Sequence, residues 1–151
     1  YSPMELDLLE SHINTLDIIQ APFNVVDRRL ETSGWLRSLK EKDIEIHTRS
    51  VFLQGLLLIP RERVPSKFEK WSDLWDRWHT SLQKHGLSAV RECLTHPLAK
   101  SEIDRVIIGV NSRDQLEAAV SQTTSSNSGV DWSNMVSDDE LLINPTNWNL
   151  F

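Results

Sequence analysis

The chain has 151 residues, a formal net charge of −6, 39% hydrophobic residues and 25% charged residues. That length fits one domain with a sizeable core, and the balance excludes a disordered polymer. The negative charge excludes a global basic field for nucleic acid or an anionic membrane, so neither is expected as a partner.

Ser2, Pro3 and Glu5 form a capping box with proline at the first helical position, predicting a helix to about residue 13 on an apolar face of Leu6, Leu9 and Ile13. Residues 17–23 read as a buried strand stopped by Pro22 and Asn24. Residues 28–42 read as one helix with Leu30, Trp35, Leu36 and Leu39 inward, and residues 44–52 as a second strand rich in β-branched side chains. The longest apolar run, residues 51–59, is broken by Gln54 and Gly55 and is too short to span a bilayer. After a loop at 60–65, Ser66 and Glu69 make another capping box whose helix runs toward His85 and Gly86. Residues 88–99 are helical again, although Pro97 frustrates the last turn. Residues 105–110 form a third strand, and Ser112 to Gln115 cap a helix reaching about residue 122. The Ser, Thr, Asn and Gly composition of 123–129 predicts a flexible connector, and 130–151 an irregular tail packed on the surface.

Strands alternating with helices predict parallel pairing and an α/β fold. Three parallel strands leave two open edges, so residues 1–122 look like part of a larger sheet. The chain opens on Tyr1 without an initiator methionine, which predicts a trimmed or excerpted product. No secretory signal stands at the front, and the single Cys93 excludes an internal disulfide or a cysteine-based zinc cluster, so a cytoplasmic protein is expected. His12, His79, His85 and His96 show no ligand spacing with carboxylates, and no metal is expected.

Residues 20–29, Gln-Ala-Pro-Phe-Asn-Val-Val-Asp-Arg-Arg, resemble the sixth-strand motif of the aldo/keto reductase family. Residues 49–57, Arg-Ser-Val-Phe-Leu-Gln-Gly-Leu-Leu, resemble the seventh-strand segment of a bacterial branch of it. Residues 103–110, Ile-Asp-Arg-Val-Ile-Ile-Gly-Val, followed by Ser112, Gln115 and Leu116, are similar to the eighth strand and its phosphate-binding turn. Asn144 to Trp148 resembles the tail of that branch, and the matches are collinear. The resemblance implies a partial TIM-type barrel, a fold that takes roughly 250 residues for eight strands. It also implies that the strands carrying the family's catalytic Asp, Tyr, Lys and His lie outside this chain. The one tyrosine is Tyr1, ahead of the first helix, so no catalytic residue is assigned here.

What the resemblance implies for the site is NADP held by strand-end loops, with a small carbonyl compound (aldehyde, ketone or sugar) as substrate. The missing amino-terminal barrel half, or another subunit, becomes an expected partner. Gln20 would hydrogen-bond the nicotinamide carboxamide; the alternative is a strand-end glutamine capping a neighbouring backbone group. Along 44–50 the side chains alternate, Ile44, Ile46 and Thr48 on one face and Glu45, His47 and Arg49 on the other. Arg49 would stack on the nicotinamide ring, the alternative being a lumen ion-pair network with Glu45 and His47. Ser50, Leu53 and Gly55 would wrap the pyrophosphate. Gly109, Asn111, Ser112 and Gln115 form the other anion-binding turn, at a helix start, with Arg113 near a 2′-phosphate; Ser112 acting only as a cap is the alternative. The Glu-Asn pair expected to read adenine is Ala118-Ala119 here, which leaves NADP against NAD open. Trp71, Leu74, Trp75, Trp78 and Leu82 fall at helical spacing, as a packing face or as a substrate wall.

Overall fold

A computed structural model describes residues 4–123 and 128–150. The chain enters through α1 (Met4–Leu8) and a 3₁₀ segment (Glu10–Thr15) into β1 (Ile18–Pro22). Then follow α2 (Arg29–Thr32), α3 (Trp35–Glu41), β2 (Glu45–Arg49), α4 (Ser72–His85), α5 (Ala89–Leu98), β3 (Arg105–Val106), α6 (Arg113–Thr123) and α7 (Glu140–Ile143). Among the described residues the sheet has three strands in the order β1-β2-β3, both pairings parallel. The expected α/β architecture, with sequential parallel strands and flanking helices in an open sheet, is the one present.

Period-two alternation decides which way β2 faces. Ile44, Ile46 and Thr48 are buried against the helix layer, while Glu45, His47 and Arg49 are half-buried on the opposite side. Below β1 and β2, Phe23, Leu30, Leu39, Ile44 and Ile46 pack into one core cluster. A second and larger cluster gathers Leu53, Leu56 and Leu57 of the loop after β2, Phe68, the inner face of α4, Cys93, and Trp132, Met135, Leu142 and Ile143 of the tail. The tail is therefore a structural part of that core, not only chain laid over a surface.

Trp75 and Trp78 are fully buried, and their indole N–H groups donate to the carbonyls of Phe68 (2.9 Å) and Leu57 (3.0 Å). Each indole thus buries its apolar area with its polar edge satisfied. The tryptophan stripe on α4 is a packing face rather than a substrate wall.

Several boundaries differ from the expectation, each for a local reason. The helix over 28–42 is split in two, because Gly34 takes φ +84° between α2 and α3. The first helix is α-helical only to Leu8 and continues as 3₁₀; Ser2 and Pro3 of its capping box lie outside the described residues, as do Tyr1, Phe151 and 124–127 of the connector. The Ser66–Glu69 box is not formed: Ser66–Trp71 is a 3₁₀ segment that starts after Pro65 without a side-chain cap, and α4 begins at Ser72. Pro97 is accommodated inside the last turn of α5, where Ala99 N–H still reaches the Thr95 carbonyl at 2.9 Å. The second strand stops at Arg49 rather than 52, since Ser50 turns to φ +58°. The third is two residues long, though Ile107 N–H extends its ladder to the Thr48 carbonyl at 2.7 Å.

Candidate functional site

Register brings the polar face together. In the parallel pairing Gln20 sits beside His47 and Pro22 beside Arg49, and His47 in turn lies beside Arg105. Gln20 is mid-strand rather than at the strand end, because β1 runs on to Pro22. Glu45 Oε1 is 2.9 Å from His47 Nε2 and accepts from Arg105 Nε at 2.8 Å. These two hydrogen bonds, that of His47 first, hold the Glu45 carboxyl below the usual carboxylate range. The network expected on this face is that of Glu45, His47 and Arg49; the hydrogen bonds to Glu45 come from His47 and from Arg105, which the expectation did not include. Arg49 lies above it and donates from Nη1 to the Ser50 hydroxyl at 3.2 Å.

The turn after β1 fixes the start of the next loop. Asn24 Oδ1 accepts from the N–H of Val26 (2.9 Å) and of Asp27 (2.8 Å), while its Nδ2 donates to the Ser50 carbonyl at 3.0 Å. From there the chain makes an unusual turn: Ser50, Leu53 and Gln54 have φ of +58°, +47° and +54°, and Gly55 +88°. Left-handed backbone costs a non-glycine residue roughly 1 kcal/mol or more, and such strain concentrates at binding sites. Here it forms the wall of a cavity.

That cavity has a volume of about 790 Å³ and lies at the carboxyl ends of the three strands. Gln20, Arg49, Ser50, Gly55, Gly109, Asn111 and Gln115 all line it, together with an apolar floor that includes Phe52, Leu58 and Val90. A Cβ added at Gly109 would meet nothing within 4 Å, so the wall there is open backbone. Ala118 and Ala119 also face the cavity. Sequence reasoning did not foresee the floor; Val90 reaches it from α5, and only the tertiary packing of α5 on α6 shows this.

Three of the expected residues stand elsewhere. Leu53 is buried in the larger core cluster, and its N–H donates to the Ser50 carbonyl at 2.9 Å. The Gly55 N–H is likewise engaged, by the Phe52 carbonyl at 2.9 Å. Ser112 accepts from Gln115 N–H at 3.2 Å, and Gln115 Oε1 accepts from Asn111 N–H at 2.8 Å, the reciprocal pattern of a helix cap. Arg113 is outside the cavity lining and pairs with Glu117 at 2.7 Å along the exposed face of α6. Among the described residues no group of three His, Cys, Asp or Glu is placed to hold a metal ion, and no helix is long and apolar enough to cross a membrane.

No protein-family model matches the chain, and neither does any curated protein. Among solved structures it is similar to the aldo-keto reductase AKR11C1 from Bacillus halodurans in its apo form. The TM-score is 0.69 over 87% of this chain, at 18% sequence identity. This chain has the fold of a partial aldo-keto reductase barrel. It spans 50% of the length of that reductase. At this identity the likeness is one of architecture, consistent with three sequential parallel strands whose outer edges are unpaired among the described residues.

Proposed function

We propose that this chain is the cofactor-binding part of an NADP-dependent carbonyl oxidoreductase, with the proton-transferring residues supplied by a separate barrel segment or another subunit. The observation that supports it most is the convergence of Gln20, Arg49, Ser50, Gly109, Asn111 and Gln115 on one cavity at the strand ends. Its volume, about 790 Å³, lies within the range of small-molecule and cofactor pockets. When bound, the nicotinamide would supply hydride equivalents to the carbonyl carbon of an aldehyde, ketone or sugar-like substrate.

The residues present fit one end of such a ligand better than the other. The Arg49 guanidinium offers a flat cationic face for an aromatic ring, and the Gln20 amide offers a donor and an acceptor for a carboxamide. The amino end of α6 favours an anion through its N–H groups and dipole, so it would hold a phosphate. The fit to the 2′-phosphate is weaker, because Arg113 is engaged with Glu117 and the adenine side carries Ala118 and Ala119. Leu53 and Gly55 would contribute shape, since their N–H groups are consumed within the turn. We place the protein in the cytoplasm, and the exposed edge of β1, where Ile18 stands open, with α6 as the surfaces that meet the missing barrel part.

Titration of intrinsic tryptophan fluorescence with NADPH and NADH tests the reading. Saturable binding of NADPH is expected, weakened about tenfold by Arg49→Leu and by Gln20→Ala, each removing one or two ligand contacts. No carbonyl-dependent oxidation of NADPH is expected from this chain alone. Absence of binding by both dinucleotides would refute the proposal, and turnover by the isolated chain would refute its division of labour.

A further inference from the structure

A second cavity, of about 260 Å³, lies on the other side of α5 from the first. α5 gives Val90 to the first cavity and Glu92 and His96 to the second, and these positions point to different sides of a helix with 3.6 residues per turn. The second is closed by Arg28 from the start of α2, by Lys100 beyond α5, and by Asp131 and Trp132 of the tail. It shares no lining residue with the first.

The polar atoms around it are incompletely satisfied. Glu92 is 1% exposed; its Oε2 accepts from the Ser128 hydroxyl (2.6 Å) and the Trp132 indole N–H (3.1 Å). Among the described residues its Oε1 has no hydrogen-bond partner, and Arg91 Nε stands 3.9 Å from it. Arg28 Nη2 donates to the Trp132 carbonyl at 2.8 Å, but its buried Nε has no partner among the described residues. The buried Nε2 of His96 has none among them either. Leaving a buried polar group unpaired costs about 1–3 kcal/mol, more for a charged one, so three around one cavity call for an occupant.

Charge narrows what that occupant is. Arg28 brings positive charge, as does Lys100, which is already paired with Glu31; Glu92 and Asp131 bring negative, and burial, reinforced by Arg28 and Lys100, pushes His96 down to about 3, so its ring is neutral. A simple anion would meet the buried carboxylate of Glu92, and a simple cation would meet Arg28. What suits the walls is a ligand without net charge that carries an acceptor at one end and donors at the other. We propose that this cavity is a second binding site, taking a small zwitterion of the α-amino acid type with its carboxylate toward Arg28 and its ammonium toward Glu92. Glu92 is already desolvated and Arg28 partly so, which limits the further loss of hydration when charge-assisted hydrogen bonds form there. Because the walls join α2, α5 and the tail segment holding Trp132, the ligand would also fasten the tail to the barrel part.

The site is tested by NMR and calorimetry on the protein with glycine as probe, and with acetate and methylammonium as its two halves. Glycine is expected to shift the Trp132 indole and the His96 ring saturably, with each half binding about tenfold or more weakly. Glu92→Gln and Arg28→Gln should each weaken glycine by about tenfold or more. Since Glu92 is buried and Arg28 half-buried, the folding of both variants is checked by circular dichroism, and the comparison of glycine with its halves on the unaltered protein carries the decision without them. Three results would each overturn the proposal: no saturable response to glycine, which leaves the cavity to water; acetate alone binding as well as glycine; or shifts confined to the residues of the first cavity.

Discussion

Between β1 and β2 five residue pairs stand in register, and beneath them Phe23, Leu30, Leu39 and Ile46 have no exposed surface. Between β2 and β3 the register covers two pairs, and α6, which packs on α5, buries a single side chain, Ala119. Leu116 and Val120 of α6 keep 45% and 56% of their surface exposed, and Ile107 and Val110 after β3 are also open. The same strand-helix alternation produced both ends, yet only the β1–β2 end buries a core beneath its strands. An end that leaves apolar side chains uncovered has room for a covering layer, and the fold matches half the length of a reductase barrel.

The comparison breaks most readily by truncation at the two ends. Leu39→Ala is expected to cost about 2–5 kcal/mol, the usual range for a fully buried leucine. Leu116→Ala on α6 is expected to change stability by less than about 0.5 kcal/mol, as an exposed substitution does. Denaturant unfolding of the two variants gives the answer. Equal losses would mean that α6 is covered in solution and that the end is not open.

Acid attacks the better-packed end next. His96 stacks on Phe23 with ring centroids 5.5 Å apart and planes 13° from parallel, which ties α5 to β1. An unfolded histidine takes up its proton near pH 6.5, whereas this one is pushed down to about 3, chiefly by burial. Between those values the unfolded chain binds more protons than the folded one, so this contribution is whole above pH 6.5 and is lost as the pH falls toward 3. From pH 6.5 to 4.5 the loss is about 2–3 kcal/mol. His96→Phe, which keeps the stacking and removes the titration, should flatten the melting temperature over that window relative to the parent protein. An unchanged slope would put the acid sensitivity in other groups.

The sequence revealed the strands and not where they stop. β-branched residues and Pro22 mark β1 and β2, and alternation along 44–50 sorted the two faces of β2 as the structure has them. The stop at Ser50 left no compositional trace, because Ser50, Leu53 and Gln54 are ordinary residues held left-handed by tertiary contacts such as Asn24 to the Ser50 carbonyl. Gly34 is the opposite case, a visible glycine inside a helical pattern whose positive φ splits the helix. The tail's role in the core was hidden as well: Trp132, Met135, Leu142 and Ile143 follow no period, since that segment folds around its neighbours rather than presenting a face. At the first cavity, the strand-end residues were legible through resemblance to a family, whereas the floor needed α5 to be packed before Val90 could be placed. The second cavity brings Arg28, Glu92 and Trp132 together from three distant stretches, and no local pattern encodes that meeting.

The smallest expected effect sharpens the comparison furthest, because it acts on the link between the two ends. Asp104, just ahead of β3, accepts the Ile46 N–H on Oδ2 at 2.8 Å and the Lys40 ammonium on Oδ1 at 2.6 Å. Those two partners, Ile46 first, hold its carboxyl below the usual range. Asp104→Ala removes both contacts, and an exposed pair with one backbone hydrogen bond should cost about 1 kcal/mol. Lys40→Ala, which spares the backbone bond, should cost less than about 0.5 kcal/mol. Hydrogen exchange separates local from global loss. If the open end hangs on this link, the amides of β3 and α6 exchange faster in Asp104→Ala while those of β1 and α3 keep their protection. Uniform acceleration across the sheet would instead show that the two ends unfold as one unit, and that the difference between them lies in coverage rather than in stability.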